Sequence, residues 1–374
     1  MKILHTGDIH LDSAFSRPDS VGASSRRDEL RKTFTRMMRY ARENGIDMIL
    51  IAGDLFEDSF ISRETIAMMI REFSAFGKPI VISPGNHDCA SPGSIWEKNV
   101  FPENVYVFTE PTLSYFAFDQ YGADVYGYAF TSPSRTDCPL NGAEVNNPDR
   151  INLLCAHGDT SSPLSSYCPI TKADIAAFGA EYAALGHIHN PESIVSDGSR
   201  AYGYCGCLEA RGPDETGKKG AIVVDMQKKN GIAHVTAQRI RFSSRRYERL
   251  SLDCTGADTL AFIEDALVRE IEKNALGADT CLRAVLTGAV SPSLIIDKRA
   301  LGTRFSQLLS LEVLDETIPQ LDAHEFENDR TVRGAFYRAM REKIENASPR
   351  EREIAVRALR VGLAAIAGEN ISDF

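Results

Sequence analysis

Three short apolar segments near the start of the chain each end abruptly in a polar cluster. They read KILHTGD, DMILIAGD and PIVISPGNHD, and segments with a helical pattern separate them. Strand-length apolar segments that alternate with helices predict βαβ units in a sheet buried on at least one face. In such sheets the chemistry lies at the carboxyl ends of the strands, where these polar clusters stand. The sequence therefore predicts an α/β fold with a site at one edge of the sheet.

The pattern changes twice beyond these units. Short strand-like segments dominate from Val105 to about Phe242, and together with the first part they fit two sheets packed face to face with helices outside. Beyond Tyr247 the pattern changes again, and Asp329–Asn346 and Pro349–Ala367 carry apolar residues at helical spacing. We expect a main domain over 1–246, a small α/β cap over 247–320 and a helical C-terminal region over 321–374 that is a candidate for partner docking.

Composition is that of a folded protein without a membrane span. Of its 374 residues, 43% are hydrophobic and 25% are charged. The longest apolar stretches, such as Met48–Ala52, are far shorter than the roughly 20 residues of a membrane helix, and the N-terminus lacks a signal-peptide core. Eight cysteines without a Cys-x-x-Cys pair are typical of a reduced compartment. We therefore expect a cytoplasmic protein.

Basic residues are unevenly distributed in this acidic chain. The net charge of −10 argues against coating nucleic acid by bulk charge. However, Arg211–Arg249 holds ten basic and four acidic residues, and the helical segment Ser25–Glu43 holds seven and three. Each segment is either a phosphate-binding surface or an ordinary solvated one.

Five motifs at predicted strand ends carry candidate metal ligands. They are Asp8-Ile9-His10, Gly53-Asp54, Gly85-Asn86-His87-Asp88, Ala156-His157-Gly158 and Gly186-His187-Ile188-His189. Residues i and i+2 of a strand point to the same side, so two of these motifs can each aim two ligands at one point. Imidazole, carboxylate and amide donors together favour Mn²⁺, Fe or Zn²⁺ over Ca²⁺. Seven candidates exceed the needs of one ion, whereas two ions sharing a carboxylate would use them all.

Each motif alone has an ordinary structural explanation. Gly-Asp after a strand is usually a turn, Asn-His-Asp is often a helix cap, and a single buried histidine is usually a hydrogen-bonded core residue. Their joint occurrence favours a site, because five of the eight histidines fall in these motifs. Three lie outside them: His5 is expected to be structural or to support a ligand, and His234 and His324 to lie on the surface or in the core.

The ordered set of motifs resembles the calcineurin-like metallophosphoesterase superfamily over roughly residues 1–225. That resemblance implies a four-layer α/β/β/α sandwich with a smaller C-terminal α/β cap and a helical tail. The opening HTGDIHLDSAF is similar to bacterial DNA-repair exonucleases of the SbcD/YhaO branch, relatives of the eukaryotic break-repair nuclease subunit. So is YCGCLEARGPDETGKKG, although Cys205 and Cys207 stand where that branch usually has Pro and Ser.

The resemblance also implies a role for each motif residue. One ion would be held by Asp8, His10 and His189, the other by Asn86, His157 and His187, with Asp54 bridging them. Two such ions, of which Mn is favoured and Fe or Zn are alternatives, would produce a bridging hydroxide that attacks a phosphodiester. His87 would bind the phosphate or protonate the leaving oxygen. Asp88 would orient the His87 ring or, alternatively, only cap a helix.

DNA is the substrate that the resemblance implies, with Arg239, Arg241, Arg245 and Arg246 as candidate phosphate contacts. A coiled-coil ATPase is the implied partner, and a homodimer is the usual state of such nucleases. Two other functions stay open. One is a metallophosphatase or nucleotide phosphodiesterase with a non-DNA substrate. The other, less favoured because every ligand is present, is a non-catalytic scaffold of the same fold.

Overall fold

The computed structural model describes residues 1–15, 20–190, 192–291, 294–320, 326 and 328–368. The chain forms two compact units, Met1–Arg246 and Tyr247–Phe374. All five motifs belong to the first unit. A further division of the second unit at residue 321 stays a prediction, and 321–325 lie outside the described residues.

The first unit alternates strands and helices in its first part and is rich in strands thereafter. Its strands are β1 (Lys2–Thr6), β2 (Met48–Ile51), β3 (Ile80–Ile82), β4 (Val105–Val107), β5 (Ser114–Phe118), β6 (Ala123–Gly127), β7 (Ile151–His157), β8 (Tyr182–Gly186), β9 (Val195–Ser196), β10 (Ala201–Tyr204), β11 (Gly220–Lys229) and β12 (Ile232–Arg241). Its α-helices are α1 (Ser20–Glu43), α2 (Arg63–Phe76) and α3 (Lys172–Phe178). Short 3₁₀ turns cover Asp58–Phe60, Ile95–Lys98 and Asp119–Tyr121.

These strands form two six-stranded sheets, ordered β12-β11-β1-β2-β3-β4 and β5-β6-β7-β8-β10-β9. In the first sheet β1 to β4 run parallel, with Thr6 opposite Ile51 and Ile51 opposite Ile82. In the second, β7 and β8 are parallel, with His157 opposite Gly186. The carboxyl ends of these strands therefore carry the five motifs.

Alternating side chains of each strand enter different layers of the core. Leu4 packs with α1 and α2 on the helix side of the first sheet, whereas its neighbour Ile3 packs between the sheets against Leu153. On the far side of the second sheet, Leu154 packs with Phe178 of α3. The layers are therefore helix, sheet, sheet and helix, which confirms the predicted fold class.

Helix α2 shows how the sequence sets an element that flanks the site. Ser62 caps its first turn by accepting a hydrogen bond from the Thr65 amide, and Gly77 ends it in the left-handed conformation. Between these caps, Met69 and Phe73 are buried against the first sheet.

The second unit is a smaller α/β unit. Its strands are β13 (Arg246–Asp253), β14 (Thr280–Thr287), β15 (Ala289–Val290), β16 (Ser310–Asp315) and β17 (Ile318–Pro319), and its helices are α4 (Leu260–Lys273), α5 (Lys298–Arg304), α6 (Val332–Asn346) and α7 (Pro349–Ala367). Strands β13, β14 and β16 form one sheet, and β15 pairs with β17. Apolar residues of α6 and α7, among them Tyr337, Met340 and Leu359, pack against one another. Across the described residues, every helix is too short or too polar to cross a membrane.

Candidate metal centre

The loops that carry the ligands have an unusual backbone. Asp8 and His10 both have φ of +48°, Asp54 has +51° and His187 has +111°. Non-glycine residues rarely adopt positive φ, and such positions persist where surrounding structure enforces them, often at functional sites. Here the Asp8 amide donates to Gly53 O at 3.0 Å and the His10 amide donates to Asp54 O at 2.9 Å. The two loops thereby hold each other's side chains toward a common centre.

Glycines in the motifs allow the loops to approach closely. A Cβ atom on Gly186 would lie 1.8 Å from the Ala52 carbonyl oxygen, and one on Gly53 would lie 2.4 Å from His157 Nδ1. Gly53 also has φ of +82°, a conformation that glycine adopts without steric cost. The Gly-Asp and Gly-His motifs are therefore required by packing as well as by chemistry.

Four of the predicted ligands converge on one point. Asp8, His10, Asp54 and His189 each offer an atom, and these atoms all lie within 4.8 Å of one another. Asp8, His10 and Asp54 are buried. The Asp8 carboxylate also accepts the His187 amide hydrogen at 2.9 Å, which fixes its orientation.

The nitrogens of His10 and His189 face each other in a way that suits a cation. His10 Nδ1 donates to Glu57 at 2.8 Å and His189 Nδ1 donates to Glu215 at 2.9 Å. Burial lowers the pKa of His10, so its ring is neutral and its Nε2 carries a lone pair. This Nε2 lies 3.1 Å from His189 Nε2. With both Nδ1 atoms protonated and both rings neutral, no hydrogen lies between the two Nε2 atoms, and a bound metal ion would satisfy both lone pairs.

The remaining ligands gather beside this group. His157 Nδ1 donates to Ala52 O at 2.9 Å, which leaves Nε2 free of hydrogen, and Nε2 lies 3.0 Å from Asn86 Oδ1. The His157 and His187 rings are edge to face with centroids 5.3 Å apart. Two ligand atoms of opposite residues again point at each other, as expected of a second ion position.

Asp54 lies between the two groups. Its Oδ2 is 3.6 Å from His10 Nε2 and also 3.6 Å from His157 Nε2. Burial alone would raise the pKa of Asp54, but His157 and His10 outweigh it and lower that pKa. Asp54 is therefore ionised and equidistant from both groups, which is the arrangement a bridging ligand needs.

The structure brings together all seven residues predicted as metal ligands, and their donors fit two ions of the Mn, Fe or Zn type. The assignment of each ligand to one ion or the other stays a prediction.

His87 lies at the rim of this centre and is oriented by a residue that the sequence analysis missed. Its ring is 43% exposed, and its Nδ1 donates to Glu57 Oε2 at 2.9 Å. Glu57 thereby raises the pKa of His87. The only sequence signal for Glu57 is its position, three residues after the bridging Asp54.

Asp88 does not orient the His87 ring. Its buried carboxylate accepts backbone hydrogens from Gly85 at 2.7 Å, Leu55 at 2.8 Å and Asp54 at 3.1 Å. Since these amides surround it, Asp88 ties the third motif to the second. Its place in the structure is that of a loop clamp, and the predicted contact with the ring is made by Glu57.

Glu215 and Arg211 also escaped the sequence analysis as site residues. Glu215 accepts hydrogen bonds from the Arg211 backbone amide at 2.6 Å and from its guanidinium at 3.0 Å, besides the one from His189. Cys207, which replaces the usual Ser, donates to Glu215 at 3.5 Å. The departure from the branch pattern therefore falls beside the centre without removing a ligand.

The arginines predicted to contact DNA are partly engaged within the first unit. Arg239 donates to the carbonyls of Cys205 at 2.9 Å and Tyr204 at 2.7 Å, and also to Glu192 O. Arg245 forms an ion pair with Glu29 at 2.8 Å. Arg241 donates to Ser243 at 3.3 Å. DNA contact by these three and by Arg246 stays a prediction, although the contacts of Arg239 give it a structural role.

Comparison with known proteins decides the family. The model of the calcineurin-like phosphoesterase family matches residues 1–195, which is more than half of the chain. The chain belongs to the calcineurin-like phosphoesterases. Membership implies hydrolysis of phosphoesters at a dinuclear metal site, and it confirms the family suggested by the motifs.

Curated relatives fall in the suspected branch of this family. The chain is 27% identical over 353 residues to the uncharacterized metallophosphoesterase YhaO of Bacillus subtilis, covering 89% of this chain and 80% of YhaO. It is 25% identical to the DNA double-strand break repair protein Mre11 of Aeropyrum pernix, covering 67% and 63%. It is 24% identical to the D component of the nuclease SbcCD of Staphylococcus epidermidis, covering 52% and 58%. The alignments thus span less than two thirds of these last two relatives.

Among solved structures, TT1561 of Thermus thermophilus matches with a TM-score of 0.38 and 16% identity. The match covers 64% of this chain and 99% of that one.

Proposed function

We propose that this calcineurin-like phosphoesterase is a metal-dependent phosphodiesterase that hydrolyses DNA. The chemistry is supported above all by Asp54 Oδ2, which lies 3.6 Å from a histidine nitrogen of each ligand group. That position makes one carboxylate available to two ions. The DNA substrate is supported by the names of two relatives, a break-repair protein and a nuclease component.

In this proposal Asp8, His10 and His189 hold one ion, and Asn86, His157 and His187 hold the other, with Asp54 shared. When bound, two such ions lower the pKa of a water molecule between them and offset the charge of the phosphate oxygens.

The other residues of the site position the substrate and move a proton. His87 Nδ1 is held by Glu57, so the opposite edge of its ring, with Nε2, is available to the substrate. Because Glu57 raises the pKa of His87, the protonated ring is favoured near neutral pH. As the bond from phosphorus to the leaving oxygen breaks, His87 donates its Nε2 proton to that oxygen.

A basic groove on the outer helical layer is the surface that we propose for the DNA backbone. Its volume is about 580 Å³, and it lies between α1 and α2. The basic residues lining it are Arg31, Lys32, Arg36, Arg39 and Arg71, against the acidic residues Asp28 and Glu64. Arg36 also donates to Ser244 at 2.8 Å. The two basic segments seen in the sequence therefore meet in space, and phosphates bound here would release counterions.

Salt dependence tests this surface. The double variant Lys32→Glu/Arg39→Glu should flatten the slope of log affinity against log salt by about 1.8 if each residue contacts one phosphate of duplex DNA. Fluorescence anisotropy of labelled duplex with metal-free protein measures that slope without hydrolysis. The matched control is Lys273→Glu/Arg304→Glu, which changes the charge equally at residues exposed in the second unit. Equal slopes for both double variants would refute DNA binding in the groove.

Substrate class is tested separately with metal-loaded wild-type protein. We expect release of nucleotides from DNA and slow hydrolysis of a small phosphodiester, with little activity on phosphomonoesters. Hydrolysis of monoesters without attack on DNA would favour the metallophosphatase alternative.

A coiled-coil ATPase partner and a homodimer are proposals from the resemblance alone. Helices α6 and α7 cover much of their apolar surface mutually, but Val332 and Ile354 remain 73% and 65% exposed. We propose these residues as part of the docking surface. Copurification with the ATPase should be lost in Val332→Asp/Ile354→Asp, and retention by this variant would exclude the surface.

A further inference from the structure

Two carboxylates that bind no ion in the proposed site surround its histidines. Glu57 contacts His10 and His87, whereas Glu215 contacts His189. Arg211 lies between them, donating to Glu215 at 3.0 Å and lying 3.6 Å from Glu57 Oε1. These contacts differ in one respect: of the two carboxylates, Glu57 alone joins a metal ligand to a residue proposed to touch the substrate.

Glu57 uses one oxygen for each histidine. Oε1 accepts from His10 Nδ1 at 2.8 Å, and Oε2 accepts from His87 Nδ1 at 2.9 Å. The two rings lie edge to face with centroids 4.8 Å apart. Since both Nδ1 atoms are bound to one rigid, planar carboxylate, the Nε2 edges of the two rings have a fixed relative position.

The backbone of Glu57 is itself fixed to both ligand loops. Its amide donates to Leu11 O at 3.0 Å, just beyond His10. The next residue, Asp58, donates its amide hydrogen to the His87 carbonyl at 3.3 Å. The side chain is only 18% exposed, so neighbouring atoms restrict its rotamer.

We propose that Glu57 is a positioning residue that fixes the His87 ring relative to the ion bound by His10. An ion at that position binds a phosphate oxygen, and Glu57 then determines where His87 Nε2 lies relative to the leaving oxygen of the same phosphate. This inference rests on the proposed function, and it assigns to Glu57 the geometry of leaving-group departure.

Leaving-group dependence distinguishes this role from general support of the metal site. A p-nitrophenyl diester releases a stable anion and needs little help from a proton donor, whereas an alkyl diester or DNA needs that help. Glu57→Gln can accept from only one histidine and turns an N–H group toward the other. At saturating metal, we expect kcat to fall about 10²-fold on the alkyl diester and less than about 5-fold on the p-nitrophenyl diester, with KM unchanged on both.

The matched control is Glu215→Gln, which removes the same charge beside a different ligand histidine. It should weaken metal binding by about 10- to 100-fold, measured by elemental analysis after dialysis. Once metal is saturating, both diesters should be affected equally. In the background His87→Ala, the further change Glu57→Gln should no longer distinguish the two leaving groups.

A spectroscopic measurement gives a test that is independent of turnover. In zinc-loaded protein, the proton shared by His87 Nδ1 and Glu57 should give a downfield NMR signal that His87→Ala assigns. Glu57→Gln should remove or shift this signal, while Glu215→Gln should leave it in place. Equal losses on both diesters in Glu57→Gln, or an unchanged signal, would overturn the proposal. A wild-type protein that cleaves neither diester would instead refute the proposed function.

Discussion

Acidification should destabilise the first unit through His5, a histidine in the middle of β1. The ring is fully buried. Its Nε2 donates to Leu185 O at 3.2 Å, and its Nδ1 accepts from the Tyr182 hydroxyl at 2.8 Å. The neutral ring thus uses both nitrogens, and a second ring proton would disrupt the bond from Tyr182. Burial lowers the pKa of His5 from 6.5 to about 3.

The sign and size of the effect follow from this shift. Because the folded pKa lies below the unfolded one, the unfolded chain takes up the proton first. The contribution of His5 to stability is therefore complete above about pH 6.5 and is lost as the pH falls toward 3, by about 1.4 kcal/mol per pH unit. Between pH 7.5 and pH 5, the loss is about 2 kcal/mol.

Urea denaturation of metal-free protein measures this loss without a contribution from metal release. The single tryptophan, Trp96, is buried in the first unit and reports its unfolding. His5→Gln should lower stability at every pH but remove about 2 kcal/mol of the decline between pH 7.5 and pH 5. The control His234→Gln removes an exposed histidine of β12 and should keep the wild-type decline. Parallel curves for His5→Gln and wild type would refute the reasoning.

Three further predictions concern the metal centre. His87→Ala should retain two ions by elemental analysis and lose about 10²–10⁴ in kcat, whereas His189→Ala should lose metal; loss of an ion in the first variant would contradict the division of roles. Activity of stripped protein should return with Mn²⁺ and poorly with Mg²⁺, since Mg²⁺ prefers oxygen ligands, and full activity in Mg²⁺ would count against the histidine-rich site. Gly186→Ala, whose Cβ would lie 1.8 Å from Ala52 O, should lower the free energy of unfolding by more than about 2 kcal/mol in the Trp96 assay; wild-type stability would show that the loops can separate.

The ligands were predictable because each follows a strand directly. A strand end fixes where a side chain points, and parallel strands bring their ends together, so the order of motifs was enough to predict one site. The helix α7 was predictable for a similar local reason: Ser348 and Glu351 form a capping box and Pro349 opens the first turn. Its bounds agree with the apolar pattern.

Contacts between loops were beyond reach of the sequence. Glu57 is 30 residues from His87 and Glu215 is 26 from His189, and neither separation follows from a local rule. Asp88 was assigned to the His87 ring because it is adjacent in sequence, but nearby amides of other loops bind its carboxylate instead. Charge counts failed similarly for Arg239, since they cannot show that backbone carbonyls already occupy its guanidinium.

The ligands come from two sheets that share no strand. Asp8, His10, Asp54 and Asn86 follow strands of the first sheet, whereas His157, His187 and His189 end or follow strands of the second. Apart from side-chain packing, a pair of ions at this edge would cross-link the sheets through coordinate bonds, much as a disulfide cross-links two segments. The free energy of metal binding then resists sliding of one sheet over the other. Metal loading would therefore slow amide hydrogen exchange in strands of both sheets, including residues far from any ligand.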